Sequence, residues 1–227
     1  MRFSIIVPTL NEAARLDHAL KDLAAGIERF SDCEIIVCDG GSGDATLDIA
    51  RRHPVQLLKT ERGRARQMNA GAERALGDWL VFLHADTRLP ADWMRAIESC
   101  EAEWGRFDVR LSGRHPLLRL VESMMNLRSR LSGIATGDQV LFFRRDFFAR
   151  LGGYPDIPLM EDIAISKQAK RLSPPACLRQ RVVTSSRRWE KQGILRTIVL
   201  MWRLRLAYWL GADPKRLHRI YYGQSRG

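Results

Sequence analysis

The stretch Phe82-Leu83-His84-Ala85-Asp86-Thr87 closes an apolar run that begins at Trp79 and places an acidic residue directly after it. An uninterrupted apolar run of this length is typical of a strand buried on both faces. A carboxylate just past such a strand lies at the carboxyl edge of the sheet, where α/β proteins bind their ligands. The stretch therefore predicts a metal or phosphate site at that edge.

Two earlier segments repeat this design. Ile5-Ile6-Val7 runs into Pro8-Thr9-Leu10-Asn11-Glu12, and Ile35-Ile36-Val37-Cys38 runs into Asp39-Gly40-Gly41-Ser42. A carboxylate after a strand is most often a turn former or a helix cap, so one such segment alone carries little weight. Three of them in order predict that three strands deliver polar groups to one rim.

Segments with a helical spacing of apolar residues lie between these strands. Apolar residues recur at helical spacing over 16–27, and a second helix is expected from about residue 64 to 76, ended by Gly77. A further strand is expected near 55–58. The β-α-β alternation predicts an α/β fold with a mostly parallel, doubly wound sheet and helices on both faces.

The second half of the chain is less regular. Strands are expected near 109–112 and 140–143, and helices over 116–131 and 161–172. The run 193–210 is apolar but contains three arginines, which oppose a membrane span because a central arginine costs about 2.5 to 3.5 kcal/mol on insertion. A C-terminal amphipathic helical segment is predicted. It can lie in the plane of a membrane or pack on the core with its arginines extended to water.

Composition restricts the function classes. The 227 residues contain 37 Lys and Arg against 26 Asp and Glu, a net charge of +11. Such a surface attracts nucleotides, anionic lipids or nucleic acid. The start Met1-Arg2-Phe3-Ser4 enters a strand without the pattern of a signal peptide, so the cytoplasm is the expected location.

Five motifs together resemble the inverting GT-A glycosyltransferases of the large family two. They are Pro8-Thr9-Leu10-Asn11-Glu12, Asp39-Gly40-Gly41-Ser42-Gly43-Asp44, Arg66-Gln67-Met68-Asn69, His84-Ala85-Asp86 and Glu161-Asp162. The resemblance implies a GT-A domain over 1–190, with a nucleotide-sugar half (1–105), an acceptor half (106–190) and a helical extension (191–227). It also implies metal-assisted transfer of a sugar from a nucleotide diphosphate to an acceptor hydroxyl or phosphate.

By resemblance, the donor-binding residues are Pro8, Thr9, Glu12, Asp39, Arg66, His84 and Asp86. Asp39 would accept a hydrogen bond from the base or ribose. Glu12 would orient Arg66 toward the nucleotide or its diphosphate. Asp86 would bind a divalent cation, Mn²⁺ or Mg²⁺, that bridges the two phosphates. His84 stands where the family usually has its first aspartate.

The resemblance assigns the acceptor side to the second half. Asp162 matches the general base, which takes the proton of the acceptor hydroxyl on the face opposite the leaving diphosphate. Glu161 would hold the loop beside it. Asp138 and Gln139 are expected on the acceptor side from their position alone. Arg188 and Trp189 would face a phosphate and stack on the acceptor, respectively, and a surface basic patch is an equal alternative.

In the donor half, Gly40 replaces the usual second aspartate of an Asp-Asp pair, so the ribose contact is open.

Two rival functions remain open from the sequence. A nucleotidyltransferase also uses an α/β nucleotide fold, although Pro8-Thr9-Leu10-Asn11-Glu12 lacks the glycines of its phosphate loop. A non-catalytic basic module that binds membranes or nucleic acid would need neither Asp86 nor Asp162. The glycosyltransferase interpretation expects no nucleic acid partner, leaves a lipid-linked acceptor open, and places the protein in the cytoplasm or at the inner membrane face.

Overall fold

The computed structural model describes residues 2–27 and 32–223. Within them, eight strands form one sheet in the order β3-β2-β1-β4-β7-β6-β8-β5. The strands are β1 (Phe3–Thr9), β2 (Cys33–Asp39), β3 (Gln56–Lys59), β4 (Trp79–Phe82), β5 (Thr87–Arg88), β6 (Trp104–Leu111), β7 (Leu141–Arg144) and β8 (Ala176–Thr184).

Helices alternate with these strands through the chain. They are α1 (Ala13–Ile27), α2 (Thr46–Ala50), α3 (Arg64–Arg74), α4 (Trp93–Glu98), α5 (Pro116–Ser132), α6 (Arg145–Arg150), α7 (Glu161–Leu172), α8 (Arg187–Gln192), α9 (Ile194–Trp209) and α10 (Pro214–Gly223). A 3₁₀ helix covers Gly137–Gln139. The last four residues of the predicted C-terminal extension lie outside the described residues.

The first half is a parallel α/β unit. Strands β2 and β4 flank β1, β3 flanks β2, and all three pairings are parallel. Thr9 pairs with Asp39 in this register, so the polar ends of the first two strands lie side by side. This part of the fold is the one that the alternation of periods predicts.

The second half is mixed. Strand β7 runs antiparallel to both β4 and β6, and β5 runs antiparallel to β8, whereas β6 and β8 are parallel. Strand β6 begins at Trp104, five residues before the predicted Val109, and β8 was not predicted. An antiparallel β7 brings its preceding segment, Gly137–Gln139, toward the end of β4. The acceptor half therefore meets the donor half at the predicted rim.

Both faces of the sheet are covered. The side chains of Phe3, Ile5 and Val7 pack in one core cluster, while those of Ile6 and Cys38 pack in a second cluster on the other face. This alternation follows from the two-residue period of a strand, which sends successive side chains to opposite faces. Helices cover both faces, as the sequence predicts.

The long C-terminal helix α9 packs along one side only. Leu200 and Leu204 join Met160 and Ile163 near α7 and Leu217 of α10 in a third cluster. The opposite side of α9 exposes Leu195, Val199, Trp202, Leu206 and Trp209. Among the helices of the described residues, none is both long and apolar enough to cross a membrane.

Candidate active site

A cleft of about 860 Å³ opens at the carboxyl ends of β1 and β4. The two halves of the domain and the C-terminal helices all contribute to its walls. Its lining includes Pro8, Glu12, Arg64, His84, Asp86, Asp138, Thr184, Arg188, Trp189, Thr197, Met201 and Tyr221. Seven of the residues predicted from the sequence meet here: Pro8, Glu12, His84, Asp86, Asp138, Arg188 and Trp189.

Asp39 organises the loop that follows β2. One carboxylate oxygen accepts hydrogen bonds from the backbone N–H groups of Gly41 and Ser42 at 3.0 and 2.8 Å. The other accepts from the hydroxyls of Thr9 and Ser42 at 3.2 and 2.5 Å. Because Asp39 is only 1% exposed, these bonds hold both oxygens inside the loop. Its contact with a nucleoside, and that of the equally buried Thr9, remain predictions that require this loop to rearrange.

The glycine at position 40 has a local cause. A Cβ atom there would lie 3.0 Å from the side-chain Cδ of Gln67. Gln67 is buried and donates to the backbone carbonyls of Thr9 and Cys38 at 2.7 and 2.8 Å, which ties the ends of β1 and β2 together. An aspartate at position 40 would press against the Gln67 amide. The buried glutamine therefore accounts for the glycine at position 40.

Glu12 and Asp86 form a carboxylate pair at the rim. Burial raises the pKa of Glu12, an effect that Arg15 opposes and the negative charge of Asp86 reinforces. Within the described part of the chain, no hydrogen bond or ion pair holds the Asp86 carboxylate, which lines the cleft. No group of three or more His, Cys, Asp or Glu side chains gathers in that part either. Two carboxylates completed by substrate phosphates and water are a donor set that suits Mg²⁺ or Mn²⁺.

The structure corrects the predicted pairing of Glu12 with Arg66. Glu12 pairs with Arg15 at 2.5 Å, and Arg66 forms ion pairs with Asp156 and Glu61 at 2.9 and 2.6 Å. Arg66 is absent from the cleft lining, and Arg64 lines the cleft instead.

The sequence interpretation missed Arg64. Residues two positions apart lie on nearly opposite sides of a helix, so Arg64 and Arg66 cannot face the same site. The guanidinium of Arg64 lies 3.7 Å from the carboxylate of Glu161. A helical wheel drawn from α3 would separate the two arginines, but only the position of α7 shows which one faces the cleft.

His84 joins the donor half to the acceptor half. Its ring lies 3.6 Å from the Asp138 carboxylate, and a Cβ atom at Gly137 would lie 2.6 Å from its Nε2. Although burial acts to raise the pKa of Asp138, the hydrogen bond and positive charge of His84 hold it below the usual value. The histidine therefore packs on the second half through a contact that only a glycine at position 137 permits.

Asp162 lies directly behind this contact. Its Oδ2 accepts a hydrogen bond from the backbone N–H of Gly137 at 2.8 Å, and its Oδ1 accepts from Ile163 at 2.7 Å. Each oxygen retains a further lone pair. Glu161 beside it is 4% exposed, and burial raises the pKa of that carboxyl against the opposing charge of Arg64. Both predicted carboxylates thus lie next to cleft residues, Asp162 behind the wall that carries Asp138 and Glu161 beside Arg64, and neither lines the cleft itself.

Gln139 differs from its prediction. It is completely buried, donates to the hydroxyl of Ser129 at 2.9 Å and accepts from the backbone of Thr136 at 3.3 Å. These contacts anchor the 3₁₀ helix, and they leave Asp138 as the member of the pair that faces the cleft. Gln139 therefore has a structural role, and the prediction that it contacts the acceptor was wrong.

Arg188 and Trp189 line the cleft, and their contacts with a phosphate and the acceptor stay predictions. The Arg188 guanidinium stacks 3.5 Å from the centroid of the Tyr221 ring and donates to the Tyr221 carbonyl at 3.0 Å. This contact brings α10 to the mouth of the cleft, a feature with no signal in the sequence motifs. Trp189 also packs against the core cluster beneath it.

Unusual backbone angles accompany three of the predicted site segments. Asn11, Val140 and Met160 have φ angles of 56°, 51° and 70°, in the left-handed region. That region is unusual for a residue other than glycine and a clear outlier for a β-branched valine. The three positions adjoin Glu12, the Gly137–Gln139 turn and Glu161. Strain of this kind persists where surrounding contacts hold a functional site in place.

Sequence comparison identifies relatives of the chain. Residues 4–98 match the family described as Glycosyl transferase family 2. A PGL/p-HBAD biosynthesis glycosyltransferase of Mycobacterium bovis is 34% identical over 173 residues, which cover 67% of this chain and 62% of that protein. The chain thus spans less than two thirds of the length of this relative.

Solved structures share the fold. A mannosyltransferase from Pyrobaculum calidifontis in complex with GDP-Man and Mn²⁺ is 25% identical with a TM-score of 0.65, covering 91% of this chain and 61% of that one. Residues 1–349 of S. aureus TarS in complex with UDP are 21% identical with a TM-score of 0.67, covering 82% and 60%. The fold of this chain is therefore the GT-A fold.

Proposed function

The chain belongs, through residues 4–98, to the family 2 glycosyltransferases, and on that premise we propose that it transfers a sugar with inversion from a nucleotide diphosphate sugar to an acceptor hydroxyl. This reaction needs a charged leaving group held on one side of the sugar and a base on the other. The family also favours this function over a nucleotidyltransferase or a non-catalytic module.

The observation that carries the proposal is the placement of carboxylates on two walls of one cleft. Glu12 and Asp86 follow the first-half strands, whereas Asp138 lines the cleft from the second half with Asp162 behind it. A sugar between these walls would have its leaving diphosphate near Asp86 and the attacking hydroxyl near Asp162. The hydroxyl oxygen bonds to the anomeric carbon while the bond from that carbon to the diphosphate oxygen breaks. The proton of the hydroxyl passes to Asp162, and the diphosphate leaves with the electron pair of the broken bond.

Asp86 and Glu12 are the residues proposed to hold the cation. A divalent ion there would neutralise the charge that grows on the leaving diphosphate. Arg64 lines the same cleft and is proposed to contact the phosphates, the role that the sequence pattern assigned to Arg66. The nucleotide half (1–105), the acceptor half (106–190) and the helical extension (191–227) keep their predicted roles in this proposal.

The donor is proposed to be a UDP- or GDP-sugar. Structures of the same fold hold UDP and GDP-Man, one of them with Mn²⁺. Pro8 lines the cleft where a base would lie against the backbone that follows β1. These neighbours support the class of donor, and the binding experiment below tests which of the two bases is preferred.

An anionic membrane surface is the proposed location. On α9, the exposed residues Leu195, Val199, Trp202, Leu206 and Trp209 form one stripe. The neighbouring α5 exposes a second stripe, Leu120, Met124, Leu127 and Leu131. The exposed Arg196 and Arg203 flank the stripe on α9, and the chain carries a net charge of +11. Apolar side chains with interfacial tryptophans and flanking arginines suit the headgroup region of anionic lipids.

Calorimetry with UDP and GDP, each with Mn²⁺ or with chelator, tests the proposal. We expect Asp86→Asn to remove the part of the affinity that depends on Mn²⁺. Asp78→Asn is the matched control, because Asp78 is exposed at the opposite end of β4. Unchanged Mn²⁺-dependent affinity in a folded Asp86→Asn variant would contradict the assignment of the cation site.

A further inference from the structure

Two side-chain nitrogens of Arg128 in α5 lack a hydrogen-bond acceptor among the described residues. Its Nε and Nη2 atoms are buried and have no hydrogen-bond partner among the described residues. A buried donor without a partner costs about 1 to 3 kcal/mol, so native proteins rarely keep one without a function. The position therefore calls for an acceptor that comes from outside the chain.

A second arginine, Arg205 of α9, lies close to the first. The two helices are in contact, and the positive charge of Arg205 acts on Arg128. Burial, reinforced by Arg205, lowers the pKa of Arg128 to about 10, and burial also lowers the pKa of Arg205. Two like charges are thus withdrawn from water side by side, an arrangement that an anion between them would stabilise.

The pair faces the predicted reaction centre. The carboxylates that act on both arginines are Asp162 and Asp138. Thr197 and Met201 of α9 line the cleft, and Arg205 follows at the same four-residue spacing, so it continues their side of the helix. The two arginines therefore lie close to the acceptor wall of the cleft, near Asp162 and Asp138.

We propose that Arg128 and Arg205 form a subsite for a phosphate group carried by the acceptor, next to the hydroxyl that Asp162 deprotonates. Two guanidinium groups present several N–H donors to the oxygens of one dianion, a geometry that an isolated ammonium cannot match. The inference rests on the proposed function, since it names the acceptor class of that reaction.

The phosphate can belong to a lipid or to a soluble metabolite, and the chemistry of the subsite is the same. Helices α5 and α9 carry both the arginine pair and the exposed apolar stripes. A lipid phosphate would place its chain along those stripes. A soluble phosphate would use the arginines alone, so the two sources differ in whether an alkyl chain strengthens binding.

Calorimetry on the full chain, saturated with UDP or GDP and Mn²⁺, tests the subsite with glycerol phosphate, decyl phosphate and neutral glycerol. We expect both phosphates to bind and glycerol not to bind. Arg128→Gln and Arg205→Gln should each weaken phosphate binding about tenfold, the usual scale of a lost charge-assisted hydrogen bond. Arg171→Gln is the control for net charge, because Arg171 is an exposed arginine of α7, the helix of Asp162.

The outcomes separate the subsite from the proposed function. Decyl phosphate binding at least tenfold tighter than glycerol phosphate would identify a lipid acceptor, and equal affinities a soluble one. Equal phosphate affinity in all three variants would overturn the subsite while nucleotide binding stands. Loss of UDP or GDP affinity in Arg128→Gln would assign the arginines to the donor instead. Failure of the wild-type chain to bind UDP or GDP with Mn²⁺ would refute the proposed function itself.

Discussion

The donor half and the acceptor half of this domain present their site residues in different ways. In the donor half, parallel strands end at one rim, where Asp39 is the last residue of β2 and Glu12 and Asp86 lie within one short turn after β1 and β4. In the acceptor half, Asp138 and Asp162 come from a 3₁₀ helix and from a helix N-terminus, brought together by one hydrogen bond through Gly137. The order of the strands in the sheet brings the donor residues together, whereas tertiary packing brings the acceptor residues together.

This difference predicts different responses to mutation. Donor residues sit on a regular frame, so changing one should alter binding locally. Acceptor residues depend on one another across His84, Gly137 and Asp162, so changes there should spread to their neighbours. The following experiments test that division, from the largest expected effect to the smallest.

The largest effect is expected for Asp162→Asn. A general base contributes about 10² to 10⁴-fold, or roughly 3 to 5 kcal/mol of barrier, and the amide keeps the shape without the proton acceptor. Turnover should fall by that factor, while the dissociation constant of the donor stays nearly constant. Both quantities are measured on the same folded variant once donor and acceptor are known.

The control for this variant is Asp146→Asn. Asp146 occupies the first turn of α6 and accepts a hydrogen bond from the next backbone N–H at 2.9 Å, just as Asp162 does in α7. Unlike Asp162, Asp146 makes no hydrogen bond to the Gly137–Gln139 turn among the described residues. If Asp162→Asn turns over within about threefold of wild type, Asp162 is not the base, and Glu161 and Asp138 become the candidates.

Asp39→Ala tests the donor half. The substitution leaves the N–H groups of Gly41 and Ser42 without their acceptor, so we expect about 1 to 3 kcal/mol of lost stability. Nucleotide affinity should fall even in chelator, because the predicted contact is to the nucleoside. A fall confined to the Mn²⁺-dependent affinity would instead place Asp39 at the cation site.

Gly137→Ala tests the junction between the halves. Its new methyl group would lie 2.6 Å from Nε2 of His84, which predicts a loss of about 1 to 3 kcal/mol in a denaturant melt. Gly43→Ala is the control, because a Cβ atom there meets nothing within 4 Å. The double variant Gly137→Ala/His84→Ala should recover most of the stability. Additive losses in that double variant would show that the two side chains do not interact.

The smallest effect is expected at the exposed apolar stripe of α9. Replacing Trp202 and Trp209 by alanine should weaken sedimentation with anionic vesicles by roughly tenfold, because both side chains are mostly exposed and would enter the interface. Leu76→Ala/Leu172→Ala removes two other exposed apolar side chains and should leave binding unchanged. Equal binding by the tryptophan variant would show that α9 serves only to pack on the core.

Much of the donor half follows from sequence because its signals are local. Apolar runs mark β1, β2 and β4 in the sequence, and the polar residues at their ends are predicted to reach the rim. Of these, Glu12, His84 and Asp86 do line one cleft. Arg66 was placed there wrongly, since neighbours on a helix point in different directions and the sequence alone does not orient the helix. The acceptor contact predicted for Gln139 failed for a similar reason, because its burial depends on Ser129, ten residues earlier.

The sequence by itself determined the α/β class, the parallel first half, the family and which acidic residues follow the strands, because periods, turn residues and short motifs act over a few neighbours. Only the tertiary structure decided that β7 runs antiparallel between β4 and β6, that Arg64 replaces Arg66 at the cleft, and that α5 and α9, which carry Arg128 and Arg205, are in contact. These contacts join residues far apart in the chain. Their energies depend on burial and charge, which exist only once the chain has folded.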